Sequence, residues 1–322
     1  MTSWLVTGGA GYIGAHIVKA LADSVETAVV LDDLSTGTAE RVGNATLVTG
    51  TVLDTDLVTR ALREHDIKGI VHVAAKKQVG ESVERPLYYY RENVDGLLSV
   101  LDAATAAGVE SFVFSSSAAV YGMPTVEKVT EDDGGVPLSP YGQTKLTGEW
   151  VSRAVGDATG MRVISLRYFN VAGAGTVELG DPGAFNLIPM VFEALGRGEA
   201  PKVFGNDYPT PDGTCIRDYV HVTDIADAHV AALRHLRDGG GSATYNIGRG
   251  VGSSVLEVLR TIAEVTGNET PPEVVARRPG DPARTVAVVD RIRGDLGWTA
   301  SHDLRDMVSS AWEAWQARQP AH

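Results

Sequence analysis

Thr7-Gly8-Gly9-Ala10-Gly11-Tyr12-Ile13-Gly14 spaces three glycines as G-x-x-G-x-x-G between an apolar run, Trp4 to Thr7, and an amphipathic stretch, Tyr12 to Leu21. A strand that turns on glycine straight into a helix leaves the first helical N–H groups free to face an anion. Gly8 permits the tight turn, Gly11 lets the main chain approach a pyrophosphate, and Gly14 lets helix and strand lie close, with Tyr12 and Ile13 lining the same loop. Such a turn can also be purely structural, so its surroundings decide. Downstream, apolar runs at Ala28 to Leu31, Ile70 to Ala74 and Phe112 to Phe114 alternate with amphipathic stretches at Leu57 to Arg63 and Val94 to Ala107. That alternation predicts βαβ units and a parallel sheet covered on both faces.

An acidic residue is due about 20 residues after the loop, at the end of the second strand. Asp32 and Asp33 stand there. A carboxylate at that place accepts the adenosine ribose hydroxyls and repels a 2′-phosphate, so NAD is expected rather than NADP. The fold class is α/β: a Rossmann-type doubly wound parallel sheet over residues 1–170, followed by a smaller C-terminal α/β substrate-binding lobe over 171–322. The second lobe is read from Gly and Pro clusters at Ala172 to Gly183, Tyr208 to Gly213, Gly239 to Gly241 and Pro271 to Pro282, which separate short elements. A segment near 217–237 is expected to return to the first domain.

With 322 residues, 43% hydrophobic, the chain can bury a full core. Its formal charge of −13 carries no basic footprint for nucleic acid, so an anionic substrate has to be held by a few local groups. The lone Cys215 excludes an internal disulfide and a cysteine zinc site, which points to a reducing cytosol, and no metal is expected. The N-terminus lacks a basic region followed by a long apolar run, and no stretch is apolar for the ~20 residues a membrane span needs.

Tyr141-Gly142-Gln143-Thr144-Lys145 sets a phenol and an ammonium four residues apart on one predicted helix face. An ammonium beside a phenol favours the phenolate, lowering its pKa from about 10 toward the range of a general base. Alone, this spacing also fits a solvated helix face. Phe114-Ser115-Ser116-Ser117 adds hydroxyls at the end of an apolar strand, where open α/β sheets bind their ligands. Ser117 can share a substrate hydroxyl proton with Tyr141, while Ser115 or Ser116 can equally finish the strand. His72 and His221, flanked by apolar residues, read as satisfied core histidines, and Trp298, Trp312 and Trp315 as packing residues.

Seven blocks together make the pattern specific: TGGAGYIG at 7–14, HVAAKKQVGES at 72–82, FSSSAAVYG at 114–122, SPYGQTK at 139–145, LRYFNVAGA at 166–174, FGNDYPTPDGTCIRDYVHV at 204–222 and RRPGD at 277–281. In order and spacing the chain resembles the UDP-glucose 4-epimerase family of extended short-chain dehydrogenases/reductases, over nearly its whole length. The resemblance implies NAD-dependent C4 epimerisation of UDP-glucose and UDP-galactose through a 4-keto sugar, with Ser117, Tyr141 and Lys145 catalytic. It further implies cofactor contacts from Thr51, Val52, Ala74, Ala75, Lys77, Asn93, Ser115 and Tyr168 beside the glycine loop and Asp32–Asp33. For the UDP-sugar it implies Lys77, Ser117, Tyr141, Phe169, Asn170, Asn186, Leu187, Phe204, Arg217, Arg278, Asp281 and Thr285, the two arginines facing the diphosphate and Asp281 the uridine ribose. A cytoplasmic homodimer is the expected form.

Three departures stand out. Thr51 replaces an acidic residue against the adenine. Ala119 replaces a threonine at the strand end, one hydrogen bond worth about 0.5 to 1.5 kcal/mol. Thr285, four residues after Asp281, replaces a bulky tyrosine and leaves room for the N-acetyl group of UDP-N-acetylhexosamines. A 4,6-dehydratase would need acidic groups where Ala118 and Ala119 stand. A UDP-glucuronate epimerase or decarboxylase would need a further contact to the C6 carboxylate, which the sequence neither offers nor forbids. A non-catalytic NAD-binding regulator should have lost Ser117, Tyr141 or Lys145, and all three are present.

Overall fold

The computed structural model describes residues 3–24, 26–278 and 280–319. In chain order the strands are β1 Ser3–Thr7, β2 Thr27–Asp32, β3 Thr46–Thr49, β4 Gly69–His72, β5 Ser111–Ser117, β6 Arg162–Tyr168, β7 Asn170–Ala172, β8 Lys202–Phe204, β9 Ile216–His221, β10 Ala243–Ile247, β11 Gly252–Ser254, β12 Glu273–Val275 and β13 Arg284–Thr285. The helices are α1 Tyr12–Asp23, α2 Thr55–Glu64, α3 Val79–Glu84, α4 Pro86–Tyr90, α5 Gly96–Ala107, α6 Pro140–Thr159, α7 Leu187–Gly196, α8 Val222–Arg237, α9 Val255–Thr266, α10 Asp290–Leu296 and α11 Leu304–Ala317. Among the described residues no helix is long and apolar enough to cross a membrane.

A seven-stranded parallel sheet runs in the order β10-β6-β5-β4-β1-β2-β3, so the strand order reverses between β1 and β4. Alternation along each strand feeds two cores. Trp4, Val6, Val30 and Val71 face one side, where Ile17 of α1 and Ile225 and Leu233 of α8 cover them. Leu5, Val29, Leu31 and Ile70 face the other, against Val58 and Leu62 of α2 and Leu97 and Leu101 of α5. Residues 243–247, which the sequence boundary at 170 assigns to the second lobe, form the strand beside β6, because Tyr245 and Ile247 belong to the first of these cores.

β7 follows β6 after one residue and pairs with β9, which also pairs with β11 and β13. The second lobe therefore starts at the carboxyl end of the main sheet. Its core is Ile188 and Phe192 of α7, Val258 and Ile262 of α9, and Met307 of α11, with Trp312 and Trp315 stacked on each other and tilted against Phe192. Trp298 is buried and donates its indole N–H to the Asp224 carbonyl at 3.0 Å, so all three tryptophans pack.

Helix α6 carries the candidate phenol and ammonium. Ser139 caps it, its hydroxyl accepting from Gly142 N at 3.1 Å; Pro140 presets the first turn, and Gly160 ends it at φ 82°. Further along the same helix, Glu149 forms a two-point ion pair with Arg167 of β6, Nη2–Oε2 2.7 Å and Nε–Oε1 2.9 Å. The two side chains are 7% and 8% exposed, so they lie in the interior. Ser116 also donates to Glu149, and Arg167 reaches Tyr121 Oη at 2.9 Å and the Glu131 carbonyl at 3.1 Å. This network locks α6 onto β5 and β6. Arg167→Met strands a buried carboxylate and should cost about 3–5 kcal/mol in urea unfolding, whereas Arg167→Met with Glu149→Leu should recover most of it. Equal losses in both variants would remove the pair from the account of stability.

Candidate active site

A cleft of about 440 Å³ opens at the carboxyl ends of β1, β2, β4 and β5, at the switch point. It is lined by Gly8, Gly11, Tyr12, Ile13, Gly14, Asp32, Asp33, Thr51, Val52, Ala74, Ala75, Lys77, Ser115, Tyr141, Lys145 and Tyr168. Gly8 sits at φ 71°, and a Cβ there would meet Ala74 N at 2.7 Å; a Cβ on Gly14 would strike the Gly8 carbonyl. Asn93, expected on the cofactor, stands behind the lining. A π-turn at Arg91–Asp95 buries it, and its amide accepts from Lys76 N at 2.8 Å and donates to Lys76 O at 3.0 Å and Thr144 Oγ1 at 3.1 Å. It shapes the 74–77 loop.

Asp32 is nearly buried, with Oδ2 accepting from Ala10 N at 2.9 Å and Oδ1 from Leu34 N at 2.8 Å. Each oxygen keeps a lone pair for a further donor, and a fixed anion here disfavours another phosphate. The glycine cradle, the helix N-terminus and this carboxylate fit a dinucleotide without a 2′-phosphate. Thr51 spends its hydroxyl locally, accepting from Leu53 N at 3.2 Å. The sequence reading missed Ser35, Thr36, Lys76, Gln78, Tyr89 and Glu92, and also Asp181, Pro182, Gly183 and Phe185, all on the cleft wall. The DPG tripeptide at 181–183 was its one legible mark, inside a cluster read as a spacer.

Ser117 ends β5 and accepts from Ala119 N at 3.2 Å; a Cβ on Gly142 would crowd the Ala119 carbonyl, which holds α6 against this strand end. Lys145 is 4% exposed. Its Nζ donates to the Ser115 carbonyl at 2.7 Å and lies 6.0 Å from the Tyr141 ring centre. Burial pulls its pKa down to about 7, against the pull of the Glu149 carboxylate. The expected direct lowering of the phenol pKa by this ammonium is corrected: burial raises the Tyr141 pKa, and the opposing influence is a hydrogen bond with Ser117. The ammonium is spent on a backbone carbonyl, so at this range it does not outweigh desolvation.

The candidate sugar-nucleotide residues fall elsewhere, apart from Lys77 and Tyr141, which line the cleft, and Ser117 at the end of β5. Phe169 is buried against Tyr121, ring centres 6.3 Å apart, and Asn170 opens β7. Asn186 precedes α7 without a capping bond, and Leu187 begins that helix. Arg217 pairs with Asp281 at 3.6 Å and with the Ile216 carbonyl at 2.9 Å, rather than with Asp218 or Asp224. Arg278 lies over the Phe204 ring at 3.7 Å. Thr285 is the β-ladder partner of Arg217, and its buried Oγ1 has no protein partner. Pro279 of the RRPGD block lies outside the described residues. Among the described residues no group of His, Cys, Asp and Glu is placed to hold a metal ion.

The family model for the NAD dependent epimerase/dehydratase family matches residues 4–248. A UDP-glucose 4-epimerase of Azospirillum brasilense is 49% identical over 317 residues, 97% of this chain and 91% of the relative. The crystal structure of UDP-glucose 4-epimerase from Stenotrophomonas maltophila with bound NAD and formylated UDP-arabinopyranose superposes with a TM-score of 0.94 at 40% identity, covering 98% of both chains. The UDP-Glc/GlcNAc 4-epimerase of Campylobacter jejuni superposes at 0.87 with 34% identity, covering 98% of this chain and 100% of that one.

Buried imidazoles give the fold an acid limit. His72 Nδ1 meets Thr7 Oγ1 at 2.9 Å between Phe112 and Phe114, and burial lowers its pKa to about 3. His16, His221 and His229 are lowered to about 4, chiefly by burial. Such a ring stays neutral when folded while the unfolded chain takes a proton below about pH 6.5, so stability falls as pH drops from there toward 4. Asp218, raised by burial to about 6, opposes this by binding its proton more readily when folded. Burial raises Asp227 in the same direction, and with four rings against these two carboxyls Tm should be lower by about 10 °C at pH 5 than at pH 7. A flat Tm across that window would show that these rings accept protons in the native state.

Proposed function

The chain belongs to the NAD-dependent epimerase/dehydratase family, and from that membership we propose that it interconverts UDP-glucose and UDP-galactose by inverting C4 through a 4-keto sugar. The observation that carries the reading is the meeting of Tyr141, Lys145 and the Ser117 strand end at the mouth of a dinucleotide cleft. NAD, when bound, supplies the acceptor and donor for the C4 hydride and a positively charged ring that favours a neighbouring phenolate. Tyr141 takes the 4-hydroxyl proton and later returns it; Ser117 hydrogen-bonds the same oxygen and holds the phenol toward its ionised form. Lys145 is a positioning residue here, pinned to Ser115, and its pKa of about 7 lets it exchange a proton near neutral pH. No net oxidation occurs, because hydrogen leaves and returns to one carbon.

The second lobe, built from residues after 170 other than α8 and β10, holds the nucleotide in this reading. Guanidinium groups bind phosphate oxygens in pairs of bonds, which offsets a net charge of −13 that repels the substrate. Arg217 and Arg278 therefore take the diphosphate and Asp281 the uridine ribose, with Asn186, Leu187 and Phe204 around them. Thr285, compact and next to Arg217 in the ladder, leaves room for a 2-N-acetyl group. Comparable turnover of UDP-galactose and UDP-N-acetylgalactosamine is expected, and no reaction with the latter would retire that extension.

The reading includes a homodimer. Leu87, Leu98 and Trp150 are 72%, 42% and 64% exposed on α4, α5 and α6, helices that pack on one another, a cost a second copy would relieve. Trp150→Glu should shift sedimentation from dimer to monomer; a parent chain that sediments as a monomer ends this part. Tyr141→Phe should lower kcat by at least about 10²-fold with NAD still bound. Near-parental turnover in that variant would overturn the assignment of the base.

A further inference from the structure

Resting on the reading of the cleft as an NAD site, we propose that Arg41 is the latch of that cleft: a positioning residue that ties the loop after β2 to a strap, 176–186, and so sets how fast the dinucleotide is exchanged. Arg41 stands in a short 3-10 turn, Ala39–Val42, a few residues beyond Ser35 and Thr36 of the cleft wall. Its Nη1 donates to Glu178 O at 3.2 Å and Gly180 O at 3.1 Å, and its Nη2 to Leu179 O at 2.9 Å. Three consecutive carbonyls, 137 to 139 residues away in sequence, thus converge on one half-buried guanidinium. They close the turn Val177–Leu179, whose last carbonyls need donors.

The strap continues directly from these carbonyls into Asp181, Pro182, Gly183 and Phe185, which form one bank of the cleft. Ser35 and Thr36, on the loop that carries Arg41, line the same cleft, so the Arg41 bonds join two segments of its wall. The other ties reach the strap elsewhere. Upstream, Tyr12 Oη donates to Gly173 O at 2.5 Å, and Gly175 N donates to His16 Nε2 at 2.8 Å, both from α1. On the outer side, Arg318 donates to Asp181 O, and Gly180 packs against Ala314 of α11. These contacts hold the strap to α1 and to the second lobe, while among the described residues the hydrogen bonds between the strap and the β2 loop are those of Arg41. Bonds from one planar guanidinium, spread over two nitrogens, suit three carbonyls spaced along a turn, whereas a lysine ammonium concentrates its donors on a single nitrogen and matches that spacing less well.

None of these atoms belongs to Ser117, Tyr141 or Lys145, so the latch should act on retention and leave chemistry alone. The experiment uses holoprotein loaded with NAD, comparing the parent with Arg41→Ala and Arg41→Lys. Nucleotide release is followed by trapping free NAD with excess of an unrelated dehydrogenase, and amide hydrogen exchange over 176–186 is followed separately on NAD-free protein. Arg41→Ala should release NAD at least tenfold faster, Arg41→Lys should fall between, and kcat with saturating added NAD should stay within twofold of the parent. Strap amides should exchange faster in both variants while those of α6 do not change. Faster exchange with unchanged release would overturn the latch, as would unchanged exchange in the strap. A parent that retains no dinucleotide would count against the cofactor reading instead, and its exchange data would still report on the strap.

Discussion

The cleft depends on how closely α1 lies upon the turn that precedes it. A Cβ on Gly14 would collide with the Gly8 carbonyl, and one on Gly8 with the backbone at Ala74, so both positions exclude a side chain. That approach sets the first turn of α1 above the end of β1 and brings the loop after β4 against it. The Asp32 carboxylate closes the arrangement by accepting from Ala10 N inside the glycine loop itself. One acidic side chain thereby fixes the loop and presents an anion to the cleft, and the cofactor preference follows from a group that the fold also needs.

The same economy appears in the buried charges of α6. Lys145 is costly where it stands, and its pKa of about 7 records that cost. Its ammonium is kept in place by the Ser115 carbonyl and by Glu149 one turn away, and Glu149 is in turn neutralised by Arg167. Ser115, Ser116 and Ser117 are consecutive on β5, yet they serve different partners: Lys145, Glu149 and the Ala119 amide. A strand end whose successive residues are anchored by α6 and by its own following turn is a rigid place from which to present one hydroxyl.

Much of this was legible in the sequence, and the exceptions share a physical cause. Periodicity located strands β1, β2, β4 and β5 and helices α1, α2 and α5, because a sheet buried on both faces demands unbroken apolar runs. The glycine spacing and the acidic end of β2 reported backbone constraints that only those residue types meet. What stayed hidden depends on where a side chain's end goes. Asn93 reads as a cofactor contact by resemblance, whereas a π-turn buries it and binds it to Lys76 behind the cleft lining. Lys145 reads as the partner of Tyr141 by spacing, but its reach carries Nζ to Ser115. Asp181 to Gly183 read as a spacer because Gly and Pro mark a bend and say nothing of what the bend covers. β10 is short and comes late in the chain, and its place beside β6 is a tertiary fact.

The candidate nucleotide residues differ from the cofactor residues in being already paired with each other. Arg217 holds Asp281, and Arg278 stacks on Phe204, where an incoming diphosphate and uridine would compete for the same groups. Asp281 is 37% exposed and Arg217 14%, so the pair is partly solvated and weak enough to be exchanged at small cost. Pairing with Asp281 offsets the charge of Arg217 in the free protein. On the proposed reading, a diphosphate bound here would replace one set of charge contacts with another, which would limit its net gain. Discrimination among UDP-sugars would then come from neutral contacts around the sugar ring, where Thr285 and Ala119 are the positions at which this chain is smaller than the family resemblance implies.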